Sequence, residues 1–299
     1  MNFSDITLVS ITGNEDYTLG SMYALQRSYI ELGEQPKVIL VSPNKPEHLP
    51  DYIQHIGCKS FSYLEYNLYI LYALKEIIKT EYCLTVQDDG WVLNGKNWQD
   101  NFFHFDFIGA VVPILVKYEP NIIRTGNWEY WCENHRNPPA GFQQLLNGGF
   151  SLRSKRLLEL PSHNAVPMSI HPPTFSVESN ELSLSWGLNT HNEDVFLTGV
   201  NRERLENEGI KFADIYTATY FSIESLPLSS ILDIPLKNIF GVHLFGLFKL
   251  TGLNEITLTR KVMNSVSHYL EVPFLLELID LFKKLGYQVR DENQGNILI

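Results

Sequence analysis

The amino-acid sequence predicts an α/β protein in which a mixed, mainly parallel sheet is flanked by helices and followed by a C-terminal helical extension. Up to Gly90, apolar strands alternate with amphipathic helices, which is typical of parallel sheets covered on both faces. An acidic pair, Asp88-Asp89, directly follows a strand, and ligands of such sheets bind beyond the carboxyl ends of the strands. From residue 256 onwards the periodicity is helical.

Two strand–helix units and a further strand are expected before the acidic pair. Apolar and β-branched runs predict the strands, and apolar residues at helical spacing predict the helices. The second helix is expected to begin at Asn67, because asparagine is a favourable N-cap. The expected elements are a strand at 5–11, a helix at 20–33, a strand at 38–41, a helix at 67–79 and a strand at 82–87.

The remainder of the chain is expected to be less regular until its end. We predict an irregular, aromatic segment at 113–147 and a second excursion, rich in proline, serine and asparagine, at 161–190. Amphipathic helices are expected at 256–270 and 273–285. These patterns predict two parts, a domain at 1–255 and a C-terminal helical extension at 256–299. We expect the extension to pack on the domain or to form a homodimer.

Composition and charge restrict the class of protein. The 299 residues are 44% apolar and 19% charged, which suits a globular domain with a sizeable core. The net charge of −11 disfavours nucleic acid as a partner, because phosphates would be repelled. The three cysteines show no CxxC spacing, the N-terminus does not resemble a secretory signal, and no apolar run is long enough for a membrane span. We therefore expect a cytoplasmic protein.

Asp89 is the first candidate metal ligand. Alternation in an extended chain places Gln87 and Asp89 on one side and Asp88 on the other. Mn²⁺ and Mg²⁺ prefer oxygen ligands and keep coordination positions open for substrate and water. We predict that Asp89 binds a divalent metal ion of this kind and that Asp88 faces the ribose of a nucleotide ligand. The alternative for Asp-Asp-Gly is a solvated turn.

His243 is the second candidate metal ligand, in a run that predicts a strand. A histidine in such a run is more often an ordinary core residue. However, His243, Gly246 and Lys249 have the spacing His-x-x-Gly-x-x-Lys. The imidazole is a possible Mn²⁺ ligand, glycine lets the backbone approach a phosphate, and lysine adds a positive charge.

Glu193 and Asp194 are the candidate catalytic acids. They follow Asn192 at the start of a predicted helix, where acids also stabilise the positive end of the helix dipole. Alternatively, one of them is a base that deprotonates the attacking hydroxyl group of an acceptor substrate. Adjacent helical residues point about 100° apart, so only one faces the substrate. We predict Asp194 as this base, with Glu193 as the alternative.

Small and aromatic residues are expected to line the site. Asn147-Gly148-Gly149 predicts a turn into a strand, and its glycines also allow the backbone to lie against a sugar ring. Trp128 and Trp131 either stack on an acceptor sugar or anchor a loop in the core, and we favour the second interpretation. Thr12 and Gly13, after the first strand, are expected to border a nucleotide base.

Taken in order, these motifs resemble those of GT-A-type glycosyltransferases. The resemblance covers about residues 5–250 and is closest to a poorly characterised family described as a domain of unknown function. Its residues are Val86-Gln87-Asp88-Asp89, Asp106-Phe107-Ile108-Gly109-Ala110, Asn147-Gly148-Gly149-Phe150-Ser151-Leu152-Arg153, Glu193-Asp194-Val195-Phe196 and Phe240-Gly241-Val242-His243. Many enzymes with this fold have aspartate at the place of Gln87.

Two of the motifs resemble enzymes of opposite stereochemistry. The Gly-Gly and Glu-Asp-Val elements are similar to those of inverting galactosyltransferases and Fringe-like enzymes, in which the second acid, here Asp194, serves as base. The His-x-x-Gly-x-x-Lys spacing is similar to that of retaining family 8 galactosyltransferases, in which it binds metal and diphosphate. We predict inversion.

The resemblance implies a hexosyltransferase with a GT-A-like fold, of the kind that acts in polysaccharide biosynthesis. It implies transfer from a nucleotide-diphosphate sugar, UDP-linked, to a glycan or glycolipid acceptor with the help of Mn²⁺ or Mg²⁺. The implied nucleotide-sugar contacts are Thr12, Gly13, Asp88, Gly148, Gly149, Gly246 and Lys249.

Two alternative functions remain open. A sugar-1-phosphate nucleotidyltransferase normally needs a basic, glycine-rich loop after the first strand, whereas this chain has the acidic Thr12-Gly13-Asn14-Glu15-Asp16. A non-catalytic glycan-binding module would use Trp128 and Trp131 for binding.

Overall fold

The fold is described from a computed structural model of the chain. The described residues are 2–119, 122–126, 128–163, 166, 174–178, 181–185, 192–224, 227–259 and 272–292. None of the helices formed by these residues is long and apolar enough to cross a lipid bilayer.

Strands and helices alternate along most of the chain. The strands are β1 (Ile6–Ile11), β2 (Lys37–Ser42), β3 (Ile53–Gly57), β4 (Tyr82–Thr85), β5 (Gly90–Val92), β6 (Phe107–Glu119), β7 (Ile122–Gly126), β8 (Gln143–Ser154), β9 (Thr174–Glu178), β10 (Glu181–Ser185), β11 (Ser222–Ile223), β12 (Gly241–His243), β13 (Phe248–Gly252), β14 (Glu255–Leu258) and β15 (Gln288–Asp291). The helices are α1 (Thr18–Glu31), α2 (Tyr63–Leu68), α3 (Leu74–Ile77), α4 (Trp128–Asn134), α5 (Lys155–Glu159), α6 (Glu193–Val195), α7 (Arg202–Asn207), α8 (Ile215–Phe221), α9 (Pro227–Ile231) and α10 (Val272–Lys284).

A seven-stranded sheet formed by the described residues lies at the centre, in the order β3-β2-β1-β4-β8-β6-β7. Neighbouring strands from β3 to β4 are parallel, whereas β8, β6 and β7 are each antiparallel to the strand before them in this order. Consequently β3, β2, β1, β4 and β6 point the same way. This confirms the predicted mixed, mainly parallel sheet and places the carboxyl ends of β1 and β4 side by side.

Helices cover both faces of the sheet, as the alternating pattern predicted. Along β1, Ile6 and Leu8 pack with Met22 and Leu25 of α1 on one face. Val9 and Ile11 of the same strand belong to a second buried cluster, which includes Leu74 of α3 on the other face. Side chains of a strand point alternately to its two faces, so one short strand contributes to both cores.

A second, smaller sheet connects the late part of the chain to the acidic turn. In the described residues it has the order β11-β12-β5, with β12 antiparallel to β5. Its register pairs His243 with Gly90, the first residue after Asp89. This pairing brings together residues that are more than 150 positions apart in sequence.

The second helical region begins earlier than predicted, and Asn67 is not its cap. Ser62 caps α2 through a capping box, in which its side chain accepts from the Glu65 backbone and Glu65 accepts from the Ser62 backbone. A turn of π-helix at Tyr69–Ala73 joins α2 to α3. Asn67 is buried inside α2, where its amide donates to the Tyr63 carbonyl over 2.7 Å.

The prediction of an irregular segment at 113–147 is wrong. Most of its described residues belong to β6, β7, α4 and β8, and β6 and β8 pair over much of their length. Trp131 is fully buried, and its indole donates to Gln144 over 2.6 Å. The aromatic residues that suggested a loop are therefore in part core residues, which agrees with the favoured interpretation of Trp131.

The described part of the C-terminal region contains one predicted helix, preceded by β14 and followed by β15. The helix predicted at 273–285 is found as α10. The helix predicted at 256–270 is wrong at its start, because β14 pairs with both β13 and β15. Burial there alternates, with Ile256 and Leu258 inside and Thr257 partly exposed, as in a strand. Residues 260–271 lie outside the described residues.

Candidate active site

A cleft of about 520 Å³ opens at the carboxyl ends of β1 and β4. Its floor is the turn that contains Asp88 and Asp89, and aromatic side chains form much of its walls. The lining residues are Ile11, Thr12, Gly13, Asn14, Tyr17, Ser21, Phe61, Ser62, Tyr63, Tyr66, Gln87, Asp88 and Asp89. Thr12, Gly13 and Asp88, predicted from sequence as ligand contacts, therefore face one cavity.

The acidic turn is held by backbone hydrogen bonds on both sides. Gln87 and Gly90 exchange backbone hydrogen bonds of 2.8 and 3.0 Å, which close the turn. The carbonyl groups of Asp88 and Asp89 accept from the backbone of Leu250 and Leu244, both over 2.8 Å. The turn thus connects the sheet to the segment that follows His243, and both acids line the cleft.

Gln87, Asp89 and His243 converge on one side of this turn. The His243 Nε2 lies 3.3 Å from the Gln87 Oε1 and 3.7 Å from the Asp89 Oδ1. The Gln87 amide group donates to the Tyr66 hydroxyl over 2.8 Å, which directs its carbonyl oxygen towards the histidine. Three donor atoms of the kind that bind divalent cations therefore face one another.

Glu224 lies on the other side of the His243 ring and has no sequence motif that reveals it. Its Oε1 is 3.7 Å from the His243 Nδ1, and both side chains are buried. Burial alone would lower the pKa of His243, but the carboxylates of Asp89 and Glu224 outweigh this effect and raise that pKa to about 9. Burial raises the pKa of Glu224.

The motif His-x-x-Gly-x-x-Lys folds around the acidic pair. The Gly246 backbone N–H donates to the Asp89 Oδ2 over 2.6 Å, and the Lys249 Nζ lies 3.0 Å from the Asp88 Oδ2. Lys249 also lies 4.5 Å from the centre of the Tyr17 ring. Phe245 and Gly246 both have positive φ, 54° and 70°, in the turn between Leu244 and Leu247. Positive φ is unusual for phenylalanine, and its side chain is 60% exposed beside His243.

Asn147, Gly148 and Gly149 lie in a bulge inside β8, not in a turn before a strand as predicted. The pairing of β8 with β6 slips between Leu146 and Ser151, so these residues protrude from the sheet. A Cβ on Gly149 would overlap the His243 ring and the Gln87 oxygen, and a Cβ on Gly148 would overlap Glu193. Only glycine allows this close approach at both positions.

The adjacent acids Glu193 and Asp194 have different environments, although α6 begins at Glu193 as predicted. Glu193 is buried, and its Oε1 accepts from Arg153 over 2.8 Å. Its backbone N–H donates to Asn67 over 2.8 Å, so Asn67 positions this helix. The Asp194 carboxylate accepts from the Gly148 backbone over 3.1 Å, and burial and the Glu193 charge raise its pKa to about 7.

The structure therefore brings most of the predicted residues into one region. His243 lies beside Asp89 and Gly149, and the Gly246 backbone donates to Asp89. Asp194 is joined to this group through Gly148. The region is completed by Glu224, Tyr66, Arg153 and Asn67. Glu224 and Tyr66 belong to none of the sequence motifs, whereas Arg153 was noted only as the end of its motif and Asn67 only as a helix cap. The side chain of Trp128 lies outside the described part of the chain. In that part, no three His, Cys, Asp or Glu side chains form a metal-binding group.

Comparison with known proteins identifies the family. A family model described as "Protein of unknown function (DUF5672)" matches residues 62–243, which is more than half of the chain. The chain belongs to this family. The matched region begins at the cap of α2 and ends at His243, so it excludes Phe61, the cleft residues between Ile11 and Ser21, and the segment after β12. No curated protein matches the sequence.

One similar solved structure is the glycosyltransferase GlyE of Streptococcus pneumoniae TIGR4. The sequence identity is 12%, the TM-score is 0.40, and the match covers 96% of this chain and 65% of that chain. This chain thus corresponds to less than two thirds of the length of that protein. A similarity at this level assigns no activity here.

Proposed function

We propose that the protein is a glycosyltransferase with a GT-A-like fold that transfers a sugar from a UDP-linked donor to a glycan or glycolipid acceptor. The observation that carries this proposal is that Asp89 and Gln87 line the cleft and meet His243, which lies beside the glycines of β8. This arrangement combines a candidate cation site, a nucleotide-sized cavity and a nearby carboxylate of raised pKa.

The cleft has the size and chemistry expected for a nucleotide. Ligand pockets commonly measure about 300–1,000 Å³, and this cleft is about 520 Å³. Tyr17, Phe61 and Tyr63 offer faces on which a planar base can stack. Thr12 and Gly13 border the same space at the end of β1 and would contact the base.

Asp89 and His243 would hold Mn²⁺ or Mg²⁺, with Gln87 as a neutral oxygen donor nearby. Such cations bind through few protein ligands when phosphates supply the others, so the absence of a three-residue acid and histidine group among the described residues is compatible with this site. The cation would stabilise the negative charge that develops on the diphosphate leaving group. Lys249, now paired with Asp88, would contact the diphosphate, and Gly246 would allow its close approach.

Asp194 would act as the base that deprotonates the acceptor hydroxyl. The sequence left Asp194 and Glu193 as alternatives, but Glu193 is paired with Arg153 and buried. A carboxylate that titrates near pH 7 is well matched to proton transfer at neutral pH. We propose that transfer inverts the anomeric configuration, which NMR analysis of the product linkage tests directly.

Titration calorimetry with UDP tests the proposed donor site. We expect wild-type protein to bind UDP more tightly with Mn²⁺ than with chelator, and Asp89→Ala and His243→Ala each to abolish this difference. Asp280→Ala and His104→Ala, which replace exposed residues of the same types, should retain it. UDP binding that is insensitive to chelator would contradict the metal site.

A second assay separates the proposal from its alternatives. We expect slow, metal-dependent hydrolysis of one member of a panel of nucleotide sugars, because water can replace the acceptor. Binding of oligosaccharide without binding of UDP would indicate a glycan-binding module. Formation of a nucleotide sugar from sugar 1-phosphate would indicate a nucleotidyltransferase.

A further inference from the structure

We infer that Glu224 is a positioning residue for His243: its carboxylate orients the imidazole so that Nδ1 carries the proton and Nε2 points towards Asp89 and Gln87. This inference rests on the proposed function, because it concerns the residue that would bind the cation. Glu224 is not among the residues that line the cleft.

Glu224 is fixed in a buried place where an isolated carboxylate would be unfavourable. It is 9% exposed, and the Asn147 amide donates to its Oε1 over 3.1 Å. The other oxygen, Oε2, has no hydrogen-bond partner among the described residues, and neither has the His243 Nδ1. A buried polar group without a partner is unfavourable, and the Glu224 Oε1 lies 3.7 Å from this Nδ1.

The opposite edge of the ring shows what this orientation achieves. Nε2 faces the Gln87 Oε1 at 3.3 Å and the Asp89 Oδ1 at 3.7 Å. With Nδ1 alone protonated, three electron-rich atoms face one another, which favours a positive charge among them, either a second proton on Nε2 or a divalent cation in its place. The residues are therefore placed so that a carboxylate, an imidazole and a bound cation would follow in sequence, with Glu224 outermost.

Asn147 links this arrangement to the glycine bulge. Its Oδ1 accepts from the Gly149 backbone over 2.6 Å while its Nδ2 donates to Glu224. Asn147 therefore joins the bulge to Glu224, and the His243 ring lies beside both Gly149 and Glu224. A carboxylate that accepts the second N–H of a ligating histidine also makes the ring a stronger ligand, and its loss typically lowers metal affinity about 10–100-fold.

Mn²⁺ titration followed by electron paramagnetic resonance tests this inference in the full-length protein. Glu224→Leu removes the acceptor and should weaken Mn²⁺ binding about 10–100-fold. Glu224→Gln keeps one acceptor oxygen at the same place and should lose less. The melting temperature of each variant is compared with that of Asp106→Asn, which separates a loss of metal binding from a loss of folding.

Asp106→Asn is the matched control. The Asp106 carboxylate is half-buried and accepts from the Ser154 hydroxyl over 2.6 Å. Ser154 is the last residue of β8 and pairs with Tyr82, the first residue of β4. The Mn²⁺ affinity of Asp106→Asn should equal that of the wild type. Equal affinity in Glu224→Leu as well would overturn the role of Glu224, whereas the proposed function would stand if His243→Ala still lost Mn²⁺.

A second measurement decides the matter if Glu224→Leu does not fold. In wild-type protein with Mg²⁺ and UDP, the His243 Nδ1–H should exchange slowly with water because Glu224 accepts it, and it should give an observable proton resonance. Glu224→Gln should speed this exchange. Rapid exchange in the wild type would overturn the inference, whereas a wild type that binds neither metal nor UDP would instead contradict the proposed function.

Discussion

At the scale of single residues, the site depends on how two adjacent acids are separated by the fold. Glu193 and Asp194 are neighbours in the sequence, yet one is paired with Arg153 inside the protein and the other accepts from the Gly148 backbone. The ion pair is almost fully buried, with side chains 1% and 4% exposed. The first acid therefore supports the structure, and the second, which accepts only from backbone groups, is the one proposed as base.

The pH dependence of the rate should report on Asp194. A base must be ionised to accept a proton, and burial and Glu193 raise the pKa of Asp194 to about 7. The rate should therefore rise with pH up to about 7 and then level off, and it should fall about tenfold per unit below that value. Asp194→Asn should lower transfer about 10²–10⁴-fold while UDP binding persists. Initial rates of donor consumption measure both effects. They should be recorded from about pH 5 to about pH 9, which is about two pH units on either side of this pKa.

Glu193→Gln is the neighbouring control, and its effect should be on stability. Removal of the carboxylate leaves Arg153 buried without its partner, so the free energy of unfolding should fall by about 3–5 kcal/mol. Urea unfolding measures this loss. A fully stable but inactive Glu193→Gln variant, together with an active Asp194→Asn variant, would indicate that Glu193 is the base and Asp194 is not.

At the scale of elements, the bulge in β8 decides the shape of the site. It is the point at which β8 leaves its register with β6 and carries Gly148 and Gly149 against the acids and the histidine. The π-helical turn that follows α6 lies against the same strand, where the Thr198 hydroxyl accepts from the Leu146 backbone over 3.1 Å. Irregular strands and π-turns are frequent at functional sites.

Gly149→Ala should disturb the cation site through this contact. The added methyl group would overlap the His243 ring and the Gln87 oxygen. Overpacking of this kind costs about 1–3 kcal/mol of stability, and the displaced ring should weaken Mn²⁺ binding. Gly57→Ala is the matched control, because the nearest atom to a Cβ there is 3.9 Å away in the His55 ring. Equal Mn²⁺ affinity in both variants would show that the bulge does not support the site.

At the scale of the whole molecule, the C-terminal residues share the core of the sheet domain. The Trp91 indole donates to the Tyr287 hydroxyl over 3.0 Å, and the Trp91 and Phe282 rings stack at 6.0 Å. Arg27 of α1 lies over the Tyr287 ring at 4.8 Å. Since Trp91 follows the acidic turn within two residues, packing of α10 and β15 supports the strand that carries the site.

Truncation after residue 255 should therefore prevent stable folding. It removes buried side chains that belong to the main hydrophobic cluster, namely Ile256, Leu258, Leu278, Phe282 and Val289. Phe282→Ala, a milder change in the same contact, should lower the free energy of unfolding by about 3–5 kcal/mol. Circular dichroism and thermal melting measure both effects. A soluble, cooperatively folded truncation product with wild-type activity would contradict this role.

The predicted homodimer is a separate expectation, which sedimentation of the full chain tests.

The sequence by itself determined the alternation of strands and helices and the position of the acidic turn at a strand end. These features are visible because the burial of one face leaves a periodic pattern within a few residues, as in β1 and α1. The same local logic placed Gln87 and Asp89 on one side of the chain. It was less reliable where an apolar pattern fits two periods, as at Ile256–Leu258, which forms a strand.

Only the tertiary structure decided which polar groups meet. Asn67 reads locally as a helix cap, but it accepts from the backbone of Glu193, 126 residues away. Glu224 has no local motif and gains its role from His243 and Asn147. Arg153 pairs with Glu193 rather than with Asp194, although it lies 40 residues away from Glu193 in the sequence. A buried polar group must find a partner wherever the fold supplies one, and that choice depends on packing between distant elements, which local periodicity does not contain.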